Sequence, residues 1–129
     1  MEIAEQAGLK TGIVTTARIT DATPAATYAH SPDRTWENDQ KLTPSAKRKG
    51  CKDIADQLVS FSSGNGVDLI LGGGRSNFHS KSTTDIEYPQ LVGLRGDDRN
   101  LIDEWKKSEE GRRFIWNRAQ LLALSLIHI

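Results

Sequence analysis

Two short apolar runs constrain this chain more than anything else in it. Gly12-Ile-Val-Thr-Thr-Ala17 is rich in β-branched residues, and Val67-Asp-Leu-Ile-Leu71 is almost wholly apolar. Both are too short for buried helices and both run into turn or cap residues, so they read as buried strands. Segments of helical spacing separate and follow them. Alternating strands and helices imply crossover connections, and hence a mainly parallel sheet of the α/β class. The expected fold is part of a three-layer αβα sandwich, with a third strand over Arg113-Phe-Ile-Trp116.

The remaining elements follow from capping and punctuation. Glu2 to Ala7 reads as the last turns of a helix stopped by Gly8. Thr23-Pro24 is a helix start, with the hydroxyl as cap and proline in the first helical position, giving a short helix from Pro24 to about His30. Ser31-Pro32-Asp33 is a turn, and Trp36 to Asp39 is irregular and partly exposed. Thr43-Pro44 repeats the cap signal. A longer helix is expected from Pro44 to Ser60, with Cys51, Ile54, Ala55, Leu58 and Val59 on its apolar face and Lys47, Arg48, Lys49 and Lys52 on a solvated one. Gly50 inside that helix would cost about 1 kcal/mol against alanine. Ser62 to Gly66 is a turn cluster. Gly72-Gly73-Gly74 fits neither phosphate-loop pattern and reads as a tight backbone exit. His79 to Asp98 lacks periodicity and reads as a surface loop. Its Asp85, Glu87, Asp97 and Asp98 do not have the spacing of a calcium loop. Asn100 and Asn117 are expected to cap two further helices.

The candidate site lies just past the first strand, in Arg18-Ile-Thr-Asp21-Ala-Thr23-Pro24 and Asp33-Arg34. Ligands of open α/β sheets bind outside the carboxyl ends of strands. Asp21 and Thr23 offer only oxygen, which suits a hard cation such as Mg²⁺. Arg34, a turn beyond the short helix, could fork onto a phosphate with two parallel hydrogen bonds. Taken alone, the same residues also read as helix caps and a solvated arginine.

The longer string decides between these readings. Gly12 to His30, Asp33-Arg34, Gly50-Cys-Lys-Asp-Ile-Ala-Asp-Gln-Leu58 and Val67-Asp-Leu-Ile-Leu-Gly-Gly-Gly-Arg75 resemble alkaline phosphatase, in order and correctly spaced, from about Ile3 to about Leu124. The resemblance implies a phosphate monoester hydrolase acting through a phosphoserine, with two zinc ions and one magnesium. It implies that Asp21 sits at the magnesium site, directly or through a coordinated water, in a position the family fills with Asp or His. It implies that the Thr23 hydroxyl ligates magnesium and that Arg34 clamps the substrate phosphate. The family's serine and a shared metal-binding aspartate lie upstream of the matching stretch. Its other zinc ligands and a magnesium-binding glutamate lie downstream, and none has a counterpart here. The expectation is an internal piece, inactive alone, holding no zinc ligands. Animal members pair the cysteine matching Cys51 with one upstream; here Cys51 is the only cysteine and reads as a small packed residue. His30 matches no family ligand and has no partner at i+4, so it is expected to be packed or hydrogen-bonded.

Composition bounds the partners. Basic and acidic side chains both number 17, which gives no electrostatic reason to expect nucleic acid or a charged membrane. No apolar run approaches the length of a bilayer span, and no signal peptide is visible. A mean hydropathy of −0.52 suits a polar piece whose core is completed by other segments. Family members are commonly homodimers and are periplasmic or extracellular, but this piece fixes neither property. Residues 1–124 are expected to form one partial domain. The sequence departs from the family after Leu124, and 125–129 reads as a cloning or assembly scar, with His128 excluded from any site. The competing reading is a stand-alone, non-catalytic α/β module that binds an oxyanion or Mg²⁺.

Overall fold

The computed structural model describes residues 1–124, so the tail at 125–129 lies outside the described residues. The order is α1 (Glu2–Gln6), β1 (Gly12–Arg18), α2 (Ala22–Ala25), α3 (Pro44–Arg48), α4 (Ile54–Val59), β2 (Leu69–Gly73), α5 (Leu101–Ser108) and α6 (Arg118–Ala123). Short 3₁₀ turns occupy Asp39–Lys41 and Arg75–Phe78. β1 and β2 pair in parallel, with Ile13 opposite Ile70 and Arg18 opposite Gly73. The ladder slips between Val14 and Arg18. The α/β class and the parallel sense of the sheet are as expected.

Several expectations are corrected. Among the described residues the sheet has two strands, not three. Phe114 and Trp116 stack on each other, with ring centroids 6.3 Å apart, but the segment around them joins no ladder. Its aromatic and β-branched residues favour a strand, yet pairing is a tertiary decision that such a preference does not make. The long helix from Pro44 is two helices. Gly50 takes φ +73° just after α3. Its N–H and that of Cys51 close back onto Lys47 and Ala46, each at 3.0 Å, in a Schellman motif. Asp53 then starts α4 by accepting from Asp56 N–H at 2.9 Å. Cys51 is therefore exposed rather than part of an apolar face. In α2, Asp21 is the cap and Thr23 is not: the helix starts at Ala22 and puts Pro24 at its third position. Proline is tolerated there because that N–H has no intrahelical partner in any case. The helix also ends at Ala25 and gives way to a turn before His30.

One face of the sheet is packed and the other is bare. Ile13, Ile19 and the half-buried Ile70 meet Ala25 and Tyr28 from around α2, Ile54 and Leu58 of α4, and Leu101 of α5. Val14, on the opposite face of β1, is 71% exposed. Parallel strands are ordinarily covered on both faces, so the expectation of fully buried strands holds on one side only. The Asn100 and Asn117 caps are as expected, accepting from Asp103 and Gln120 N–H.

The loop from His79 to Asp98 is irregular but not wholly on the surface. Arg95 within it is 1% exposed and forks onto Asp53 at 2.9 and 3.1 Å. It also reaches Asp97 at 2.6 Å and the carbonyl of Asn77 at 3.3 Å. Asp85 and Glu87 pair with Arg75.

Candidate functional site

The site is built on the turn that leaves β1. Ile19 N–H still bonds to Gly73 O, and Asp21 N–H closes onto Arg18 O, both at 2.9 Å. That turn throws Asp21 outward at the head of α2, at the carboxyl end of the strand. Arg34, on the loop after α2, folds back and donates from Nη2 to Asp21 Oδ1 at 2.9 Å. The Ala22 N–H donates to the same oxygen at 2.8 Å. Together the Ala22 N–H and the Arg34 guanidinium hold Asp21 below the usual carboxylate range, so it is ionised at neutral pH. Asp21 Oδ2 has no hydrogen-bond partner among the described residues.

Asp21 and Arg34 are thus brought together. Thr23 is exposed one position into α2, relieved of capping by Asp21, and its hydroxyl makes no hydrogen bond to the described residues. Cavities of about 530, 180 and 680 Å³ occur, and none is lined by Asp21, Thr23 or Arg34. The site is an open rim. No group of three or more His, Cys, Asp or Glu side chains that could hold a metal ion occurs among the described residues. Asp21 Oδ2 and Thr23 Oγ1 have no hydrogen-bond partner among the described residues, and they are of the oxygen type that a hard cation takes. His30 is exposed and hydrogen-bonded, not packed: Nε2 lies 3.0 Å from Glu2 Oε1.

Sequence reasoning missed the network behind the rim. Glu37 takes Arg18 in a fork, Nε to Oε2 at 2.8 Å and Nη2 to Oε1 at 3.1 Å. Glu37 Oε2 also accepts from Thr20 Oγ1 at 2.6 Å and from Asn77 Nδ2 at 3.2 Å. Asn77 donates to Thr20 Oγ1 as well, and Asn38 donates to Asn77 Oδ1 at 2.7 Å. Thr20, Asn38 and Asn77 are at most 3% exposed. Burial pushes Glu37 upward, but the hydrogen bonds from Arg18 and Thr20 outweigh it and keep the carboxylate low. One sequence signal could have pointed here. Gly74 has φ +86°, and a Cβ on it would lie 2.8 Å from Arg18 Cβ. The glycine run makes room for the stem of an arginine beside the site.

The chain is of the α/β class, with a carboxylate cap and an arginine folded onto it at the carboxyl end of β1, the edge where open α/β sheets take their ligands. The family model for alkaline phosphatase matches residues 1–128. An alkaline phosphatase from Gadus morhua is 45% identical over 127 residues, covering 95% of this chain and 26% of that protein. The tissue-nonspecific alkaline phosphatase of Homo sapiens is also 45% identical, covering 94% of this chain and 24% of its own length. The Gallus gallus tissue-nonspecific isozyme is 42% identical over 132 residues. The chain belongs to the alkaline phosphatase family, and it spans about a quarter of the length of the curated relatives it matches. Phosphatase activity belongs to the family and, by name, to these relatives.

Proposed function

We propose that this chain supplies the phosphate clamp and part of the magnesium site of a phosphate monoester hydrolase, with Arg34 on the substrate phosphate and Asp21 and Thr23 on the metal. The observation that carries the reading is the Asp21–Arg34 pair at the mouth of β1. Arg34 has a side chain 68% exposed and one carboxylate oxygen as its anchor. A guanidinium so placed can leave that oxygen and fork onto a phosphoryl group with two parallel hydrogen bonds. Asp21 stays fixed by the Ala22 N–H while Arg34 moves, and its Oδ2 remains open to a hard cation. When bound, the metal would neutralise charge on the phosphoryl group, where positioning and charge neutralisation do most of the work.

In this reading the serine nucleophile, the zinc ligands and the rest of the magnesium shell come from other parts of a longer enzyme, which acts on phosphate monoesters as a homodimer. The bare face of β1 supports that reading, since further strands and helices would bury it. A second reading is a stand-alone, non-catalytic oxyanion or Mg²⁺ module.

Two preparations separate them. The purified 129-residue chain, given zinc, magnesium and a chromogenic phosphate ester, is expected to show no turnover. A chimera carrying residues 1–124 in place of the matching stretch of the Gadus morhua enzyme is expected to hydrolyse the ester. Turnover by the chain alone, or a folded but inactive chimera, refutes the proposal.

A further inference from the structure

Arg18 is held beside the rim with more care than a solvated arginine needs. Its fork onto Glu37 is seated on Thr20 and Asn77, both buried. Gly74 leaves the space its stem occupies. β1 pairing places it opposite Gly73. The result sets Arg18 Nη2 3.9 Å from Asp21 Oδ1, the same oxygen that Arg34 holds at 2.9 Å. One carboxylate oxygen therefore faces two guanidiniums, one anchored from behind and one on an exposed loop.

We propose that Arg18 is a positioning residue that makes Arg34 available to phosphate, and that Glu37 acts through it. This rests on the phosphate-clamp reading of Arg34 given above. When Arg34 exchanges Asp21 for a phosphate, Asp21 loses a counter-charge. Arg18 supplies a second one that does not leave, because Glu37 keeps it in place. Without Arg18, Asp21 grips Arg34 harder and the rim carries less positive charge. Both effects weaken capture of an anion, so they add in sign. Arg18 itself is tied to Glu37 and does not touch the phosphate.

The test uses the 129-residue chain and inorganic phosphate, read at the guanidinium NMR signals of Arg34 and Arg18. In the unaltered chain, phosphate is expected to shift the Arg34 signal saturably and leave the Arg18 signal in place. Arg18→Ala should raise the phosphate concentration needed at Arg34 by roughly three- to fivefold, the range of one partly exposed ion pair. Glu37→Gln should act in the same direction, and Arg18→Ala/Glu37→Gln should match Arg18→Ala alone. Arg18→Lys, which keeps the charge but loses the fork, should fall between, which guards against reading a folding defect as a positioning effect. An Arg34 signal indifferent to phosphate in the unaltered chain sinks the clamp reading itself. An Arg34 signal that titrates identically in the unaltered chain and in Arg18→Ala overturns this inference and leaves the clamp standing. A Glu37→Gln effect that persists in full on the Arg18→Ala background overturns the route through Arg18.

Discussion

Removing Arg95 is the sharpest test of how this fold is held together. Its side chain is 1% exposed and that of Asp53 3% exposed, so both charges are out of water. The pair is bidentate, and Arg95 also meets Asp97 and the Asn77 carbonyl. Arg95→Ala leaves the Asp53 carboxylate buried with only the Asp56 N–H on it. Breaking such a pair on one side costs about 3–5 kcal/mol. Set against a total of about 5–15 kcal/mol for a typical domain, this is a large fraction. For a chain of this length it corresponds to a melting temperature lower by about 12–20 °C. The assay is urea unfolding followed by far-UV circular dichroism, at pH 7 and 25 °C. Asp53→Asn is the companion variant, because asparagine preserves the cap of α4 while removing the charge. Arg95→Met combined with Asp53→Asn should recover part of the loss, since neither buried group then carries an unpaired charge. Asp97→Asn, at the 29% exposed end of the network, should cost under about 1 kcal/mol. A loss below about 1 kcal/mol for Arg95→Ala would refute the buried-pair argument.

Two further outcomes can be checked on the same chain. Gly50→Ala should destabilise by about 1–2 kcal/mol, measured by urea midpoint, through backbone strain alone. No atom lies within 4 Å of the added methyl, so an unchanged midpoint would remove the Schellman motif as the reason the helix breaks. The Arg75 guanidinium holds Asp85 at about 2, below its unfolded value near 3.9. A depressed folded value gives stability that is present above about pH 4 and lost as pH falls toward 2. The unaltered chain should therefore exceed Asp85→Asn in stability at pH 5, with the gap closing by pH 2; a gap independent of pH would refute it.

The parts legible in the sequence were those decided locally. Gly8, Asn100 and Asn117 end or start helices through chemistry within a few residues, and the sequence shows them directly. β1 and β2 were legible because short apolar runs have few other fates. Where the reading failed, either a neighbouring cap or a distant partner made the choice. Gly50 could sit inside a helix or end one, and the Asp53 cap three residues later settled it. Phe114 and Trp116 suit a strand but found no neighbour to pair with. Arg95 fell inside the stretch read as a surface loop, because its partner Asp53 is 42 positions away. At the candidate site, the family resemblance singled out Asp21 and Arg34, since residue type and spacing alone left them readable as a cap and a solvated arginine. Arg18 and Glu37 were not, because their meeting depends on the turn after β1, on Asn77 and on the room left by Gly74.

The central claim is that Arg34 clamps the phosphate, and inhibition by inorganic phosphate tests it most directly. In the chimera bearing residues 1–124, Arg34→Ala should raise the phosphate inhibition constant by about 10- to 150-fold, equivalent to about 1.5–3 kcal/mol of charge-assisted hydrogen bonding. An active chimera whose inhibition constant is the same with and without Arg34 would contradict it.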